Sequence, residues 1–159
     1  MIKEILSESE LLESVKVIKL SFETVAAEFG LTLENCPAHP AFITYEKLVE
    51  LKNNGVKFFG LHAHDRQVGF VAIEKFNDNL YYIERLAVLP SYRHNSFGEK
   101  LIKFAVDHIK NDDGKIVSIG IIDDHAILKQ WYKSMGFSET QKKRFNHLPF
   151  MVCFMEYRI

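Results

Sequence analysis

The sequence is short of cysteine and proline and has no long apolar run. Only Cys36 and Cys153 occur, so no disulfide framework can be read from them, and two buried or half-buried free thiols in a reducing compartment are expected. Four prolines and eight glycines in 159 residues exclude the compositions of fibrous or disordered chains. No apolar stretch approaches the ~20 residues that a membrane-spanning helix needs. The opening Met1-Ile-Lys-Glu lacks the basic start and apolar run of a secretory leader, so a cytoplasmic location is expected. A net charge of -1 gives no general case for nucleic acid, and neither nucleic acid nor membrane is expected as a partner.

What is present suits one packed domain over residues 1–159. Hydrophobic residues make up 47% of the chain, with thirteen phenylalanines and six tyrosines to fill a core. Charge is unevenly spread. Residues 1–50 hold four lysines and nine glutamates, whereas the remainder is net basic. An acidic first third would draw a cationic amine and a basic remainder a phosphorylated ligand, unless these charges only solvate helix faces.

Hydrophobic spacing sets the elements. Met1 to Leu6 reads as a short strand. Ser7 and Glu10 have capping-box spacing, ahead of an amphipathic helix from Leu11 to Phe29 that Gly30 ends. Two prolines between Leu31 and Phe42 impose a loop or short turn. A helix follows over Thr44–Asn53. Val56–His62 and Val68–Lys75 read as strands joined by a tip at His64-Asp65-Arg66-Gln67, and Leu80–Leu89 as a third, stopped by Pro90. Asn95–Lys110 reads as a helix and Ile116–Ile122 as a strand buried on both faces. Ala126–Met135 is helical, and Phe137–Thr140 and Phe150–Tyr157 close the chain as strands. Lys142-Lys143-Arg144 reads as a solvated loop. This order predicts a mixed α/β domain, with an antiparallel front and a parallel pair around the Asn95–Lys110 helix.

The stretch from Leu80 to Phe137 carries the chemistry. A buried strand ends at Val88-Leu89-Pro90, and a polar, small-residue loop leads into a helix. Such a junction aims several free backbone N–H groups and the positive helix end at one point, which suits an anion. Arg93 is placed to add a bidentate clamp. Ser96 and Glu99 equally match an ordinary capping box. His62-x-His64-Asp65 lacks a remote third ligand, so no metal is expected.

The wider pattern Val88-x-Pro90-x-x-Arg93-x-x-x-x-Gly98, then a helix, a strand and Tyr132-x-x-x-Gly136-Phe137, resembles the GCN5-related N-acetyltransferase (GNAT) superfamily. The resemblance implies a central mixed sheet of about seven strands flanked by four helices. It implies acetyl-coenzyme A as co-substrate and a small-molecule or protein amine as acceptor, with direct attack on the thioester. The backbone of Leu86, Ala87 and Val88 would face the cofactor's pantetheine arm. The N–H groups of His94, Asn95, Ser96, Phe97, Gly98 and Glu99 would hold its pyrophosphate. Ser96 stands where the family's loop has its first glycine, and its side chain would either crowd the pyrophosphate or donate to it. His125 stands where the family often has an asparagine that bonds the cofactor arm. Tyr132 matches the tyrosine that protonates the departing thiolate. Glu84 would deprotonate the amine, and period-two counting puts it on one strand face with Leu86 and Val88; a salt bridge is its other reading. Glu34, Asn35 and His39 fall in the segment that borders the acceptor pocket in the family. A homodimer is a family-level expectation. A catalytically degraded acyl-CoA sensor is the rival reading.

Overall fold

The computed structural model describes residues 1–159. Its strands are β1 (Ile2–Glu4), β2 (Lys57–Ala63), β3 (Arg66–Lys75), β4 (Leu80–Val88), β5 (Ile116–Ile122), β6 (Ser138–Arg144) and β7 (Met151–Arg158). Its helices are α1 (Glu8–Phe29), α2 (Tyr45–Asn53), α3 (Phe97–Asn111) and α4 (Ala126–Ser134). All seven strands join one sheet in the order β1-β2-β3-β4-β5-β7-β6. Only β4 and β5 run parallel, connected through α3, while every other neighbouring pair is antiparallel. No helix is long and apolar enough to cross a membrane.

Local chemistry accounts for the elements. Ser7 and Glu10 cap each other reciprocally at the start of α1, and Gly30 ends it in the left-handed conformation at φ 64°. The proline-bearing segment after α1 contains one 3-10 turn, Pro40–Phe42. Helix α1 packs on β3 and β4, as does α3, but on opposite faces. Gln67 of β3 bonds Ser14 of α1 at 3.0 Å, whereas a Cβ on Gly69, two residues along with a bulge between, would meet Leu101 of α3 at 2.9 Å. The main core lies on both faces of the sheet and includes Ile18, Leu48, Phe58, Phe70, Leu101 and Met155, all buried.

Three expectations need correction. The β2–β3 tip is only His64-Asp65, both at positive φ; Arg66 and Gln67 belong to β3, and Gln67 is buried against α1. The last hairpin is longer than expected. Lys142, Lys143 and Arg144 lie in β6, paired to Val152 and its neighbours on β7, because an edge strand tolerates exposed lysines that a central strand would not. Finally, β4 does not alternate regularly. Ala72 pairs with Glu84 and Phe70 with Ala87, so one extra residue is accommodated at Arg85, which sits at φ 53°. Paired residues share a sheet face, so Glu84 faces the same way as Ala87 and opposite to Val88.

Candidate active site

The parallel ladder between β4 and β5 is short. It joins Leu80 to Ile116, Tyr81 to Val117 and Tyr82 to Ser118, and stops there. Beyond Tyr82 the bulge at Arg85 turns β4 away, and β5 continues to Ile122 with β7 on its other side. Gly120 is exposed in mid-sheet for this reason. Two cavities occupy the parting. One, of about 680 Å³, lies between α1, the end of β4 and the start of α3. The other, of about 630 Å³, lies between β4, β5, the loop after α1 and the β6–β7 turn. They share Phe22, Val25, Leu86, His125 and Leu128 as common walls.

The first cavity has the character of an anion seat. No protein acceptor takes the N–H groups of His94, Asn95, Ser96, Phe97, Gly98 or Glu99, and the first bond of α3 is Lys100 N–H to the Ser96 carbonyl. His94 and Ser96 are left-handed, at φ 65° and 61°, a kinked backbone that gathers successive N–H groups into a concavity. Asn95 braces it by donating to the carbonyls of Tyr92 and Arg93, at 3.1 and 3.3 Å. Ser96 makes no side-chain cap, so the alternative of an ordinary capping box with Glu99 does not form. A Cβ on Gly98 would stand 3.0 Å from the Trp131 ring, which explains glycine there and brings α4 against the loop.

Arg93 lines this cavity but is not a free clamp. Its guanidinium donates to the Ser21 carbonyl at 2.7 Å, to Thr24 Oγ1 at 3.1 Å and to the Val88 carbonyl at 3.3 Å. Three of its five N–H groups thus tie the loop to α1 and β4, and two remain for an anion.

The second cavity holds the titratable groups. Tyr132 is 5% exposed, its ring edge-on to Trp131 and Phe137 at 4.9 and 5.4 Å. Burial alone raises its pKa above the ordinary phenol range, so it keeps its proton. His125, Leu128 and Tyr132 follow three-and-four spacing along α4 and face the cavities together. His125 caps α4, its Nδ1 accepting from Leu128 N–H at 3.3 Å, which leaves Nε2 as the protonated nitrogen.

Glu84 lines the second cavity. Burial pushes its carboxyl up from the usual range, and the Arg85 guanidinium partly offsets this. Its Oε2 accepts from Arg85 Nη1 at 3.0 Å, so the proposed base and the proposed salt bridge are one arrangement. His39 also lines this cavity, buried, with Nδ1 accepting from Ala41 N–H at 3.2 Å; burial lowers its pKa.

Two expected acceptor residues lie elsewhere. Glu34 and Asn35 are exposed and line neither cavity. Asn35 closes the turn after α1, accepting from Thr32 N–H at 2.8 Å and donating to the Gly30 carbonyl at 2.9 Å. Sequence reading missed Arg85, because nothing in the residue type signals a left-handed bulge.

Residues 22–137, more than half of the chain, match the model of the acetyltransferase (GNAT) family. The chain belongs to the GNAT acetyltransferase family. Solved structures agree on the fold. The ribosomal-protein-S18-alanine N-acetyltransferase of Escherichia coli superposes with a TM-score of 0.76 at 15% identity, covering 100% of this chain and 93% of that one. PaiA N-acetyltransferase of Thermoplasma acidophilum, in complex with coenzyme A, gives 0.75 at 17% identity, covering 100% and 99%. An aminoglycoside 6'-N-acetyltransferase complexed with coenzyme A gives 0.73 at 15% identity, covering 99% and 96%. Within the GNAT frame, the parting of β4 from β5 and the free N–H groups before α3 fit a long ligand with a diphosphate. The two cavities adjoin at Leu86 and His125.

Proposed function

We propose that this GNAT protein is a cytoplasmic N-acetyltransferase that moves an acetyl group from acetyl-coenzyme A directly to a primary amine. The observation that carries the reading is the junction of two cavities between parted strands, with an anion seat at one end and Glu84 and Tyr132 at the other. Neither Cys36 nor Cys153 lines either cavity, which supports direct transfer without an acyl-cysteine.

The residues divide the work. The N–H groups of His94 through Glu99, with the remaining N–H groups of Arg93, would hold the diphosphate. The edge of β4 beyond Tyr82, freed from β5, would bind the pantetheine arm, and its N–H groups are placed to steady negative charge on a carbonyl oxygen. When bound, acetyl-coenzyme A supplies an activated thioester. Glu84 would take the proton that the arriving ammonium must lose before attack. Tyr132, protonated and in an apolar wall, would give a proton to the departing sulfur. Holding both reactants at one junction supplies much of the acceleration. A sensor without activity needs no acid and base facing one cavity, so the enzyme reading is preferred.

The test is release of free coenzyme A thiol over a panel of primary amines. Turnover with at least one amine, and a fall of roughly 100-fold or more in kcat for Tyr132→Phe with little change in the KM for acetyl-coenzyme A, is the expected result. Cofactor binding without turnover on any amine would favour the sensor.

A further inference from the structure

The second cavity contains one carboxylate and one guanidinium, and they are neighbours. Glu84 and Arg85 are joined at 3.0 Å, with side chains 35% and 17% exposed. The other polar walls are neutral groups or histidines, including His39, Ser118 and His147. No second acid lines the cavity, and Glu34 and Glu46 are exposed outside it. The acidic first third of the chain therefore does not reach the acceptor.

Arg85 is poorly satisfied where it stands. Of its five N–H groups one meets Glu84. Nε is shut off from solvent and has no partner at all. A buried donor without an acceptor is costly and calls for a reason. The residue is moreover held at φ 53°, a left-handed backbone that is strained for a non-glycine residue; strain of this kind gathers at functional sites.

Charge decides which acceptor suits the pair. An acceptor arrives as an ammonium and gives up a proton to Glu84. The ion pair then becomes a neutral acid beside a guanidinium, with Glu74, close to Glu84 but outside the cavity lining, left to answer part of its charge, which is unfavourable in an apolar cavity. A carboxylate carried by the acceptor itself removes the imbalance by accepting from the Nη N–H groups that Glu84 leaves free, a charge-assisted contact that guanidinium favours. A polycation would instead add uncompensated charge. The remaining walls, Ile119, Ile121, Phe150 and Phe154, are apolar and suit a hydrophobic body.

Resting on the acetyltransferase reading, we propose that the acceptor is an amine bearing its own carboxylate and an apolar body, as a free hydrophobic α-amino acid does, and that Arg85 selects it by binding that carboxylate. The ammonium proton passes to Glu84, the freed amine nitrogen bonds the acetyl carbon, the thioester C–S bond breaks, coenzyme A leaves as the thiol with a proton from Tyr132, and the second nitrogen proton leaves the new amide to replace it.

The test compares phenylalanine, phenylalaninamide and spermidine as acceptors for the intact enzyme. Phenylalanine is expected to exceed both in kcat/KM by roughly 10- to 100-fold, the worth of a charge-assisted hydrogen bond. In Arg85→Gln the preference for phenylalanine over its amide should collapse towards unity, and Arg85→Lys should restore part of it. Equal or better use of the amide or spermidine would overturn the proposal while leaving the acetyltransferase reading intact. Should no amine turn over, thermal shift with N-acetylphenylalanine and its amide decides. Stabilisation by the acid alone, lost in Arg85→Gln, supports the proposal, and equal or absent stabilisation overturns it. If the variant fails to fold, the wild-type comparison of acid with amide decides.

Discussion

Three left-handed residues without the freedom of glycine, Arg85, His94 and Ser96, cluster at the site. Ser96 occupies the helix-start position at φ 61° without using its hydroxyl as a cap. Ser96→Gly should therefore stabilise the protein by about 1 kcal/mol in chemical denaturation; a loss of stability would mean that the hydroxyl has an unrecognised partner. Glu84 gives a pH test. Burial raises its pKa in the folded protein, so the fold favours its protonated form, and that contribution is lost as pH rises through the folded value. As a base it must be ionised. The acid limb of the kcat/KM profile should accordingly lie above the ordinary glutamate value of about 4.3, and Glu84→Gln should abolish that limb. The grouping of these side chains was only partly legible. Glu84, His125 and Tyr132, which line one cavity, stood out by type and spacing. The distribution of Arg93's hydrogen bonds over Ser21, Thr24 and Val88 was not legible, because it depends on contact with a helix about seventy positions away.

Among the elements, β4 and α4 position the chemistry. The order of strands and helices could be read from periodicity because each element buries one apolar face, as α3 does with Leu101, Ile102, Ala105 and Ile109. The bulge could not be read, since a one-residue insertion reverses facing without altering the sequence pattern. It separates Glu84 from Val88 and directs Glu84 to the second cavity. Helix α4 is fastened to the sheet by charge. Lys129 bonds Asp123 at 2.5 Å, and Lys133 reaches Glu139 of β6 at 2.7 Å. The Lys133 hydrogen bond, then that of Cys153, with Lys129 nearby, holds the Glu139 carboxyl down at about 2. A lowered carboxylate stabilises the fold above its unfolded value and loses that contribution as pH falls. Glu139→Gln should lower the Tm at neutral pH, and the gap from wild type should close between about 4.5 and about 2. A gap independent of pH would show that the ion cluster is not its origin.

For the whole molecule, the decisive feature is a sheet that opens along one line. Helix α3 crosses from β4 to β5 at the closed end, and its amino end meets the open one. A ligand with a diphosphate and a long thiol arm matches that shape. The family pattern around Arg93, Gly98 and Tyr132 made the family and the fold visible beforehand. The second cavity was not visible, because its walls come from α1, β4, β5 and the β6–β7 turn, which only the fold brings together. In the proposed complex the loop before α3 holds a diphosphate while the parted strands hold the arm. Calorimetric titration of the intact protein with coenzyme A and with pantetheine tests it most directly. One saturable site for coenzyme A, with pantetheine weaker by at least tenfold, is the predicted result; no saturable heat with coenzyme A, or equal affinity for pantetheine, would contradict it.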